Sequence, residues 1–315
     1  MKEVVLTKPP YMNASEQRIA DMHSLLNILN VLSGELSLIE PKPQDLVERS
    51  AQLDQELDDL VREIKEGGLS ADMISRVRKS GFAVIAFAEA ALEAESLKIG
   101  KVAIGNSISN LRSVLSILEK RLDEFEARVE DPDLWVQIAP EVFQQQFEEV
   151  FAAIARNSKG SYGIHFDPAQ KEQGDYYFQL KVEAQRADGQ LWLPLRLIDV
   201  LRDLSANARK YTSPGGTVAI AVHQDQTSIR AVVEDNGCGI PHDEIEQVAE
   251  FGYRASNVRQ RPTFGGGFGL TKAVWLVAGW GGSLTIRSEV DAGTVVRLSV
   301  PNADLPAAPT TWTGQ

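Results

Sequence analysis

The sequence predicts an α+β protein in which an N-terminal antiparallel helical bundle precedes an α/β sandwich. Two observations indicate this fold. Apolar residues recur at helical spacing through residues 15–133, with short breaks between the segments. In residues 139–302, alternating strand-like segments are interspersed with helical ones, which is typical of helices packed on one face of a mixed sheet. Residues 1–14 and 303–315 are expected to be terminal tails.

Four helices are expected in the first domain, and start and stop signals delimit them. Asn13 or Ser15 is a candidate N-cap for the first helix, and Ser70 precedes the third. PKP ends the first helix, a pair of glycines ends the second, Gly100 separates the third from the fourth, and DPD closes the fourth. The expected helices are 15–40, 44–66, 70–98 and 101–130. Connections this short favour an antiparallel bundle.

The second domain is expected to combine helices with a mixed sheet. Its helical segments are 141–157, 193–212 and 270–278. Its strand-like segments are 161–167, 176–184, 217–224, 228–235, 283–289 and 294–300. The strands on either side of residues 225–227 are expected to form a hairpin.

Composition limits the classes of function and location. The chain has 315 residues, 43% hydrophobic and 24% charged, which is ordinary for a globular protein. A formal net charge of −12 argues against nucleic acid or an anionic membrane as the partner. Cys238 is the single cysteine, and the most apolar stretch, 82–92, is too short to span a bilayer. Without a signal peptide at its start, the protein is expected to be soluble and cytoplasmic.

Four short boxes follow one another in the second domain. They are DLSANARKYT (203–212), EDNGCGI (234–240), FGYRAS (251–256) and GGGFGLTKAV (265–274). In this order they resemble the GHKL superfamily, which includes gyrase, mismatch-repair ATPases and histidine kinases. The resemblance is closest to the catalytic domain of bacterial sensor histidine kinases. It implies a GHKL (Bergerat) ATPase fold that binds ATP with Mg²⁺.

The first box contains the residues that, by the resemblance, would bind Mg²⁺ and the phosphates. Asp203 and Asn207 are four residues apart on a helix, so both side chains lie on one face, and oxygen ligands suit Mg²⁺. The family has Asn or Glu where this chain has Asp203, which leaves the ligand geometry open. Lys210 matches the phosphate-contacting lysine, and Tyr211 is expected to pack near the nucleotide. Alone, this box is equally compatible with an ordinary amphipathic helix.

The second box is expected to bind adenine. Asp235 follows an apolar strand and matches the aspartate that accepts a hydrogen bond from the adenine amine in the family. Gly237 and Gly239 would permit positive φ and close approach to a flat ring. An ordinary Asn-Gly turn is the alternative for this segment by itself.

The fourth box is a glycine-rich loop that opens a helix, where backbone N–H groups can bind an anion. It resembles the family's phosphate loop and is neither a P-loop nor a dinucleotide fingerprint. The nucleotide-binding residues implied here are Gly265, Gly267, Phe268, Gly269 and Leu270. Residues 241–264 would form a lid over ATP, and Phe251 and Arg254 match its aromatic box.

His23 is the candidate phosphoacceptor. It lies on the first helix in one stripe with Asn27, Asn30 and Gly34, whereas the helix's leucines occupy the opposite side. The segment from His23 resembles the HDxxN type of phosphoacceptor box, which implies that His23 receives the γ-phosphoryl group of ATP. Asn27 matches the position that orients water for dephosphorylation. Ser24 stands where the family has an acidic proton acceptor, and a hydroxyl is a poor base near neutral pH.

The leading hypothesis is therefore an ATP-dependent protein-histidine kinase that passes its phosphoryl group to an aspartate of a response-regulator receiver domain. A homodimer is expected, because histidine kinases usually build a four-helix bundle from two hairpins, although four helices in one chain could also complete a bundle alone. Two alternatives stay open. One is a GHKL protein-serine/threonine kinase resembling the dehydrogenase kinases, and the other is a non-catalytic, ATP-gated scaffold.

Overall fold

The computed structural model describes residues 1–41, 43–95, 98–158, 160–259, 266–302 and 310–313. The chain divides into two compact units. The helical unit is Met22–Pro132, and the sheet unit consists of Met1–Asp21 and Asp133–Gly314. No helix in the described ranges is both long enough and apolar enough to cross a bilayer.

Four long helices occupy residues 14–127. They are α1 (Ala14–Ser37), α2 (Gln44–Gly67), α3 (Ala71–Ala94) and α4 (Lys98–Ala127). Asn13 is the N-cap of α1: its Oδ1 accepts hydrogen bonds from the backbone N–H groups of Ser15 and Glu16, both at 3.0 Å. The Ser70 hydroxyl caps α3 in the same way, as predicted. Gly100 lies inside α4 and not before it, because the break between the helices falls nearer to Glu95.

One apolar cluster fills the helical unit, and all four helices contribute to it. Leu29, Leu57, Val84 and Leu118, one from each helix, are almost completely buried. The five leucines predicted to lie on the apolar side of α1 are all buried: Leu25, Leu26, Leu29, Leu32 and Leu36. Each of the four helices of one chain therefore contributes to the bundle core.

Ion pairs and hydrogen bonds show that neighbouring helices run in opposite directions. Arg76 of α3 pairs with Glu63 of α2 at 2.7 Å, and Ser80 donates to Glu56 at 2.8 Å. Residue numbers thus rise along α3 as they fall along α2. The same reversal relates α3 to α4, which are joined by Arg78–Asp123 and Arg112–Glu89. The predicted antiparallel arrangement is confirmed for these helices.

In the described ranges, the sheet unit contains two sheets and three further α-helices. Its strands are β1 (Lys2–Leu6), β2 (Trp135–Ile138), β3 (Ile164–His165), β4 (Tyr176–Ala184), β5 (Leu191–Pro194), β6 (Thr217–Gln224), β7 (Ser228–Asp235), β8 (Ser283–Glu289), β9 (Gly293–Pro301) and β10 (Thr310–Thr311). Its helices are α5 (Pro140–Asn157), α6 (Leu195–Tyr211) and α7 (Gly269–Gly279).

The larger sheet is mixed and has the order β1-β8-β9-β7-β6-β4-β3. Strand β4 runs parallel to β3 and β6, and the other neighbours are antiparallel. Burial alternates along β6 and β7, and their inward side chains form one core with those of α5, α6 and α7. The predicted hairpin at residues 225–227 is confirmed, and Asp225 stabilises its turn by accepting from the N–H of Thr227 at 2.8 Å.

Several strands were not predicted from the sequence. Lys2–Leu6, expected to belong to a tail, forms the edge strand β1 against β8, and Thr310–Thr311 pairs with β2. The smaller sheet, β10-β2-β5, was also missed. These strands are two to five residues long, and some pair with segments distant in the sequence, so local alternation carries little signal for them.

Candidate functional site

Helix α6 carries the residues of the first box. Asp203 and Asn207 lie one turn apart on a half-buried face, while the opposite face packs into the core. The fourth box approaches them from α7. A β-carbon at Gly269 would lie 3.2 Å from Asn207 Nδ2 and 3.5 Å from Asp203 Cβ. The fold therefore brings these two boxes together, with little room for a side chain at residue 269.

Lys272 joins α7 to α6 through an ion-pair cluster that the sequence boxes did not reveal. Its side chain is fully buried, and its ammonium lies 2.9 Å from Asp203 Oδ2 and also contacts Asp199 Oδ2. An unpaired ammonium in such a place would be very costly, so two carboxylates explain how a lysine is accommodated on an apolar helix. A signal existed in the sequence, because Asp199 and Lys272 interrupt otherwise apolar helical faces.

This cluster bears on the Mg²⁺ site that the family resemblance implies. The Lys272 ammonium binds one carboxylate oxygen of Asp203, which places a positive charge beside that oxygen. Within the described ranges, no group of three or more His, Cys, Asp or Glu side chains could hold a metal ion. Asp203 therefore shares its carboxylate with Lys272, and Asn207 on the same face has an amide oxygen suited to this cation.

Lys210 lies in the last turn of α6, in surroundings that favour an anion. Burial, together with the charges of Arg254 and Arg209, lowers the pKa of Lys210 to about 8. Its ammonium lies 5.3 Å from the centre of the Tyr211 ring. Because the charged form is destabilised by burial and by like charges, a bound phosphate would stabilise it.

Asp235 is the last residue of β7 and is half-buried. Burial raises the pKa of Asp235 to about 6, although the N–H of Gly237 donates to its Oδ1 at 2.8 Å and the backbone of Thr294 also favours the ionised form. A carboxylate that has so little contact with water is well suited to accept a hydrogen bond from a ligand.

The glycines of the second box are required by close contacts within the chain. A β-carbon at Gly237 would lie 2.5 Å from the carbonyl oxygen of Tyr211, and one at Gly239 would overlap the carbonyl of Glu289. The N–H of Cys238 donates to the same Tyr211 carbonyl at 3.1 Å. Gly239 has the expected positive φ of 64°, but Gly237 does not. This turn is thus packed between the end of α6 and the turn that follows β8.

The glycine-rich loop packs against the third box. The Phe268 ring stacks on the Phe251 ring with centroids 4.5 Å apart. Gly267 has a φ of 76°, and a β-carbon there would lie 2.8 Å from the carbonyl oxygen of Tyr253. Leu270 is half-buried against the core of the sheet unit, and Gly265 lies outside the described residues. The loop leads directly into the N-terminus of α7, where backbone N–H groups can bind an anion.

The predicted lid is described as far as residue 259, and residues 260–264 lie outside the described part. It contains two short 3₁₀ helices, Gln247–Ala249 and Ser256–Val258. The Thr271 hydroxyl donates to the Glu250 carbonyl at 3.0 Å, and Arg254 donates to the Val258 carbonyl at 2.9 Å. The segment after the second box is therefore tied to the start of α7.

His23 lies in the helical unit and is half-buried, as its place on the polar stripe predicted. The Asn27 amide nitrogen lies 3.1 Å from His23 Nε2. The Ser24 hydroxyl is buried and forms no hydrogen bond with the described part of the chain. Of the two residues predicted to act with His23, Asn27 contacts its ring and Ser24 does not hydrogen-bond to it.

Part of the chain is similar to known proteins. The family model described as "Histidine kinase-, DNA gyrase B-, and HSP90-like ATPase" matches residues 193–304. Sensor protein SrrB of Staphylococcus aureus is 30% identical over 109 residues, which are 35% of this chain and 19% of SrrB. This chain thus aligns with about a fifth of that relative.

Solved structures of histidine kinases are also similar in part. The mycobacterial sensor histidine kinase MprB is 24% identical, covers 51% of this chain and 92% of its own, and has a TM-score of 0.36. Full-length ShkA in complex with AMPPNP is 18% identical, covers 76% of this chain and 46% of its own, and has a TM-score of 0.46. The matched residues 193–304 contain all four boxes and the Lys272 cluster, and over this range the chain is similar to the ATPase domains that the model describes.

Proposed function

We propose that this chain is an ATP-dependent protein-histidine kinase that phosphorylates His23 and passes the phosphoryl group to an aspartate of a response-regulator receiver domain. The contact between Asn27 and His23 Nε2 carries this proposal, because it holds the imidazole in the form whose Nε2 carries no proton, in a chain of which residues 193–304 match an ATPase family model.

The chemistry follows from the state of the imidazole. When the Asn27 amide donates to Nε2, that nitrogen carries no proton and the ring proton is on Nδ1. At rest the Nε2 lone pair accepts the Asn27 hydrogen bond, so Nε2 attacks the γ-phosphorus of ATP once the amide turns away; the bond from this phosphorus to its bridging oxygen breaks, and ADP leaves. In the second step a receiver carboxylate attacks the phosphorus and the N–P bond breaks, which returns His23 to its starting state.

The proton arrangement also accounts for Ser24. An acidic neighbour would accept a proton from the imidazole, whereas the Ser24 hydroxyl is buried and makes no hydrogen bond to His23 in the described structure. Asn27 instead selects the ring form in which Nε2 is already free of its proton. We therefore assign Asn27 the positioning of His23 and give Ser24 no part in the attack.

ATP would be held by the residues of the sheet unit. Asp235 would accept from the adenine amine, and Tyr211, Gly237 and Gly239 would shape the surroundings of the base. The phosphates would lie between Lys210 and the N-terminus of α7. Mg²⁺, when bound to the phosphates, supplies charge neutralisation, and Asn207 is the side chain best placed to hold it.

Radiolabelled ATP tests the proposal directly. The wild-type chain should acquire label that is labile to acid and stable to base, and His23→Gln should lose it. His223→Gln is the matched control, because His223 is half-buried on β6, and it should keep the label. Acid-stable label, or label that survives His23→Gln, contradicts the proposal and favours the serine/threonine kinase. ATP binding without any phosphoryl transfer would favour the scaffold.

Dephosphorylation of the receiver is a second candidate activity, and the half-buried Asn27 amide favours it. An amide beside the phosphoacceptor can orient the water that attacks an aspartyl phosphate. Asn27→Ala should therefore slow the loss of phosphate from a phosphorylated receiver, measured by its release over time. An unchanged rate would remove Asn27 from that reaction. The homodimer stays a prediction, and in one chain all four helices already share one buried cluster.

A further inference from the structure

Lys272 lies one turn into α7, next to the N-terminus where backbone N–H groups can bind a phosphate. Its own N–H donates to the carbonyl of Phe268 at 2.9 Å, and its side chain is completely buried. The ammonium contacts Asp199 and lies 2.9 Å from Asp203 Oδ2. Both carboxylates belong to α6, one turn apart, and Asn207 lies one turn further along the same helix. One side chain of α7 therefore binds two successive turns of the helix that carries Asn207.

Charged hydrogen bonds of this kind fix the relative position of two helices more closely than apolar packing does. Apolar contacts are non-directional, whereas an ammonium and a carboxylate bond only over a narrow range of distances. Because Lys272 bonds to both Asp199 and Asp203, it limits movement of α7 along α6 as well as away from it. The space between the two helices is small, since a β-carbon at Gly269 would lie 3.2 Å from Asn207 Nδ2. The start of α7 is therefore held at one distance from Asn207.

Lys272 does not contact a bound ligand itself, because its side chain has no exposed surface. Two carboxylates and one ammonium give the cluster a net charge of about −1, which favours a cation bound beside it. This charge agrees with Mg²⁺ held by Asn207 and the phosphates. Lys272 thus acts through the placement of its neighbours and not through a contact of its own with the nucleotide.

The base of the nucleotide would be bound at a different place. Asp235 lies at the end of β7, and its carboxylate accepts from the N–H of Gly237 and is also stabilised by the backbone of Thr294. These groups belong to β7, to the turn that follows it and to β9, and not to α7. A small displacement of α7 should therefore change contacts with the phosphates and leave those with adenine.

We propose that Lys272 is a positioning residue for the triphosphate. By binding Asp199 and Asp203, it holds the phosphate-binding start of α7 beside Asn207 and the Mg²⁺ that Asn207 would bind. This role rests on the ATP site proposed above and not on phosphoryl transfer to His23. A chain that binds ATP without phosphorylating itself would leave the role intact.

Calorimetric titration of the full chain with MgATP and, separately, with adenosine tests this role. In Lys272→Met/Asp199→Asn one charge of each sign is removed, so the net charge of the cluster stays at about −1, but α7 loses its bonds to α6. The dissociation constant for MgATP should rise by about tenfold or more, and that for adenosine by less than about threefold. Asp199→Asn alone is the matched control: the bond between Lys272 and Asp203 remains, so the MgATP constant should stay within about threefold of the wild type. Thermal unfolding followed by circular dichroism verifies that each variant is folded.

Gly269→Ala gives an independent result if the double variant does not fold. Its new β-carbon would press on Asn207 and move the start of α7, so MgATP should again bind more weakly while adenosine binds as before. Equal weakening of MgATP and adenosine in either variant would show a general structural effect and overturn the proposal. An MgATP constant that is unchanged in either variant, or raised as much by Asp199→Asn alone as by the double change, would overturn it too. A wild-type chain that binds neither ligand would contradict the ATP site itself, and this role with it.

Discussion

ATP affinity should decrease as the pH rises from about 7 to about 9, because Lys210 loses its proton in this range. Burial and two neighbouring guanidinium groups lower the pKa of Lys210 to about 8 in the free protein. A phosphate binds the ammonium form and not the neutral amine. The alkaline loss of affinity therefore depends on the pKa of this one side chain.

The size of the effect follows from the fraction of Lys210 that is protonated. With a pKa of about 8, roughly nine-tenths of the side chain is charged at pH 7 and roughly one-tenth at pH 9. If only the charged form contacts phosphate, the dissociation constant rises by about tenfold, which corresponds to about 1.4 kcal/mol. An ordinary exposed lysine, with a pKa near 10.4, would show almost no change over this range.

Lys210→Arg separates this effect from titration of the nucleotide. A guanidinium stays charged throughout, so the affinity of the variant should be nearly constant from about pH 7 to about pH 9. Ionisation of ATP is common to both proteins and cancels in the comparison. Isothermal titration calorimetry at several pH values measures both profiles. Equal slopes for the two proteins, or a flat wild-type profile, would refute the assignment of Lys210 as the phosphate contact.

Three further changes test the adenine box, its turn and the bundle core. Wild-type ATP affinity should weaken as the pH falls through about 6, where Asp235 takes up a proton, and Asp235→Asn should bind more weakly without this acid dependence. Gly239→Ala should destabilise the protein more than Gly174→Ala does, as measured by urea unfolding. Both glycines have positive φ, but only at Gly239 would the new β-carbon overlap a carbonyl, that of Glu289. Leu29→Ala should lower the free energy of unfolding by about 2–5 kcal/mol. Val31 is more exposed, so Val31→Ala should lower it by less than about 0.5 kcal/mol. Equal losses for the two glycine variants, or for Leu29→Ala and Val31→Ala, would contradict the packing described.

Much of the local structure was predictable because its signals are short in range. The leucines of α1 repeat at helical spacing, and all five are buried. Asn13 and Ser70 stand directly before the helices that they cap. The Asp225 turn lies between two alternating segments and forms the predicted hairpin. In each case the residues that make the interaction are close together in the chain.

Elements whose stability depends on distant partners were not predictable in this way. Strand β1 is five residues long and pairs with β8 near the other end of the chain. Gly237 was expected to make room for a flat ring, yet the close contact in the structure is with the carbonyl of Tyr211. A pattern in one segment cannot show which backbone packs against it.

The sequence by itself predicted an ATP-binding domain after a helical region, since four boxes occur in a fixed order and each needs only its own residue types, and a family model of such ATPases matches residues 193–304. It also marked His23, because helical periodicity sets that residue opposite the leucines of its helix. Only the tertiary structure decided which charged groups lie beside Asp203. Asp199, Asp203 and Lys272 lie on two helices far apart in the sequence, and they meet because α6 and α7 pack together on the sheet, where a buried ammonium must find carboxylates.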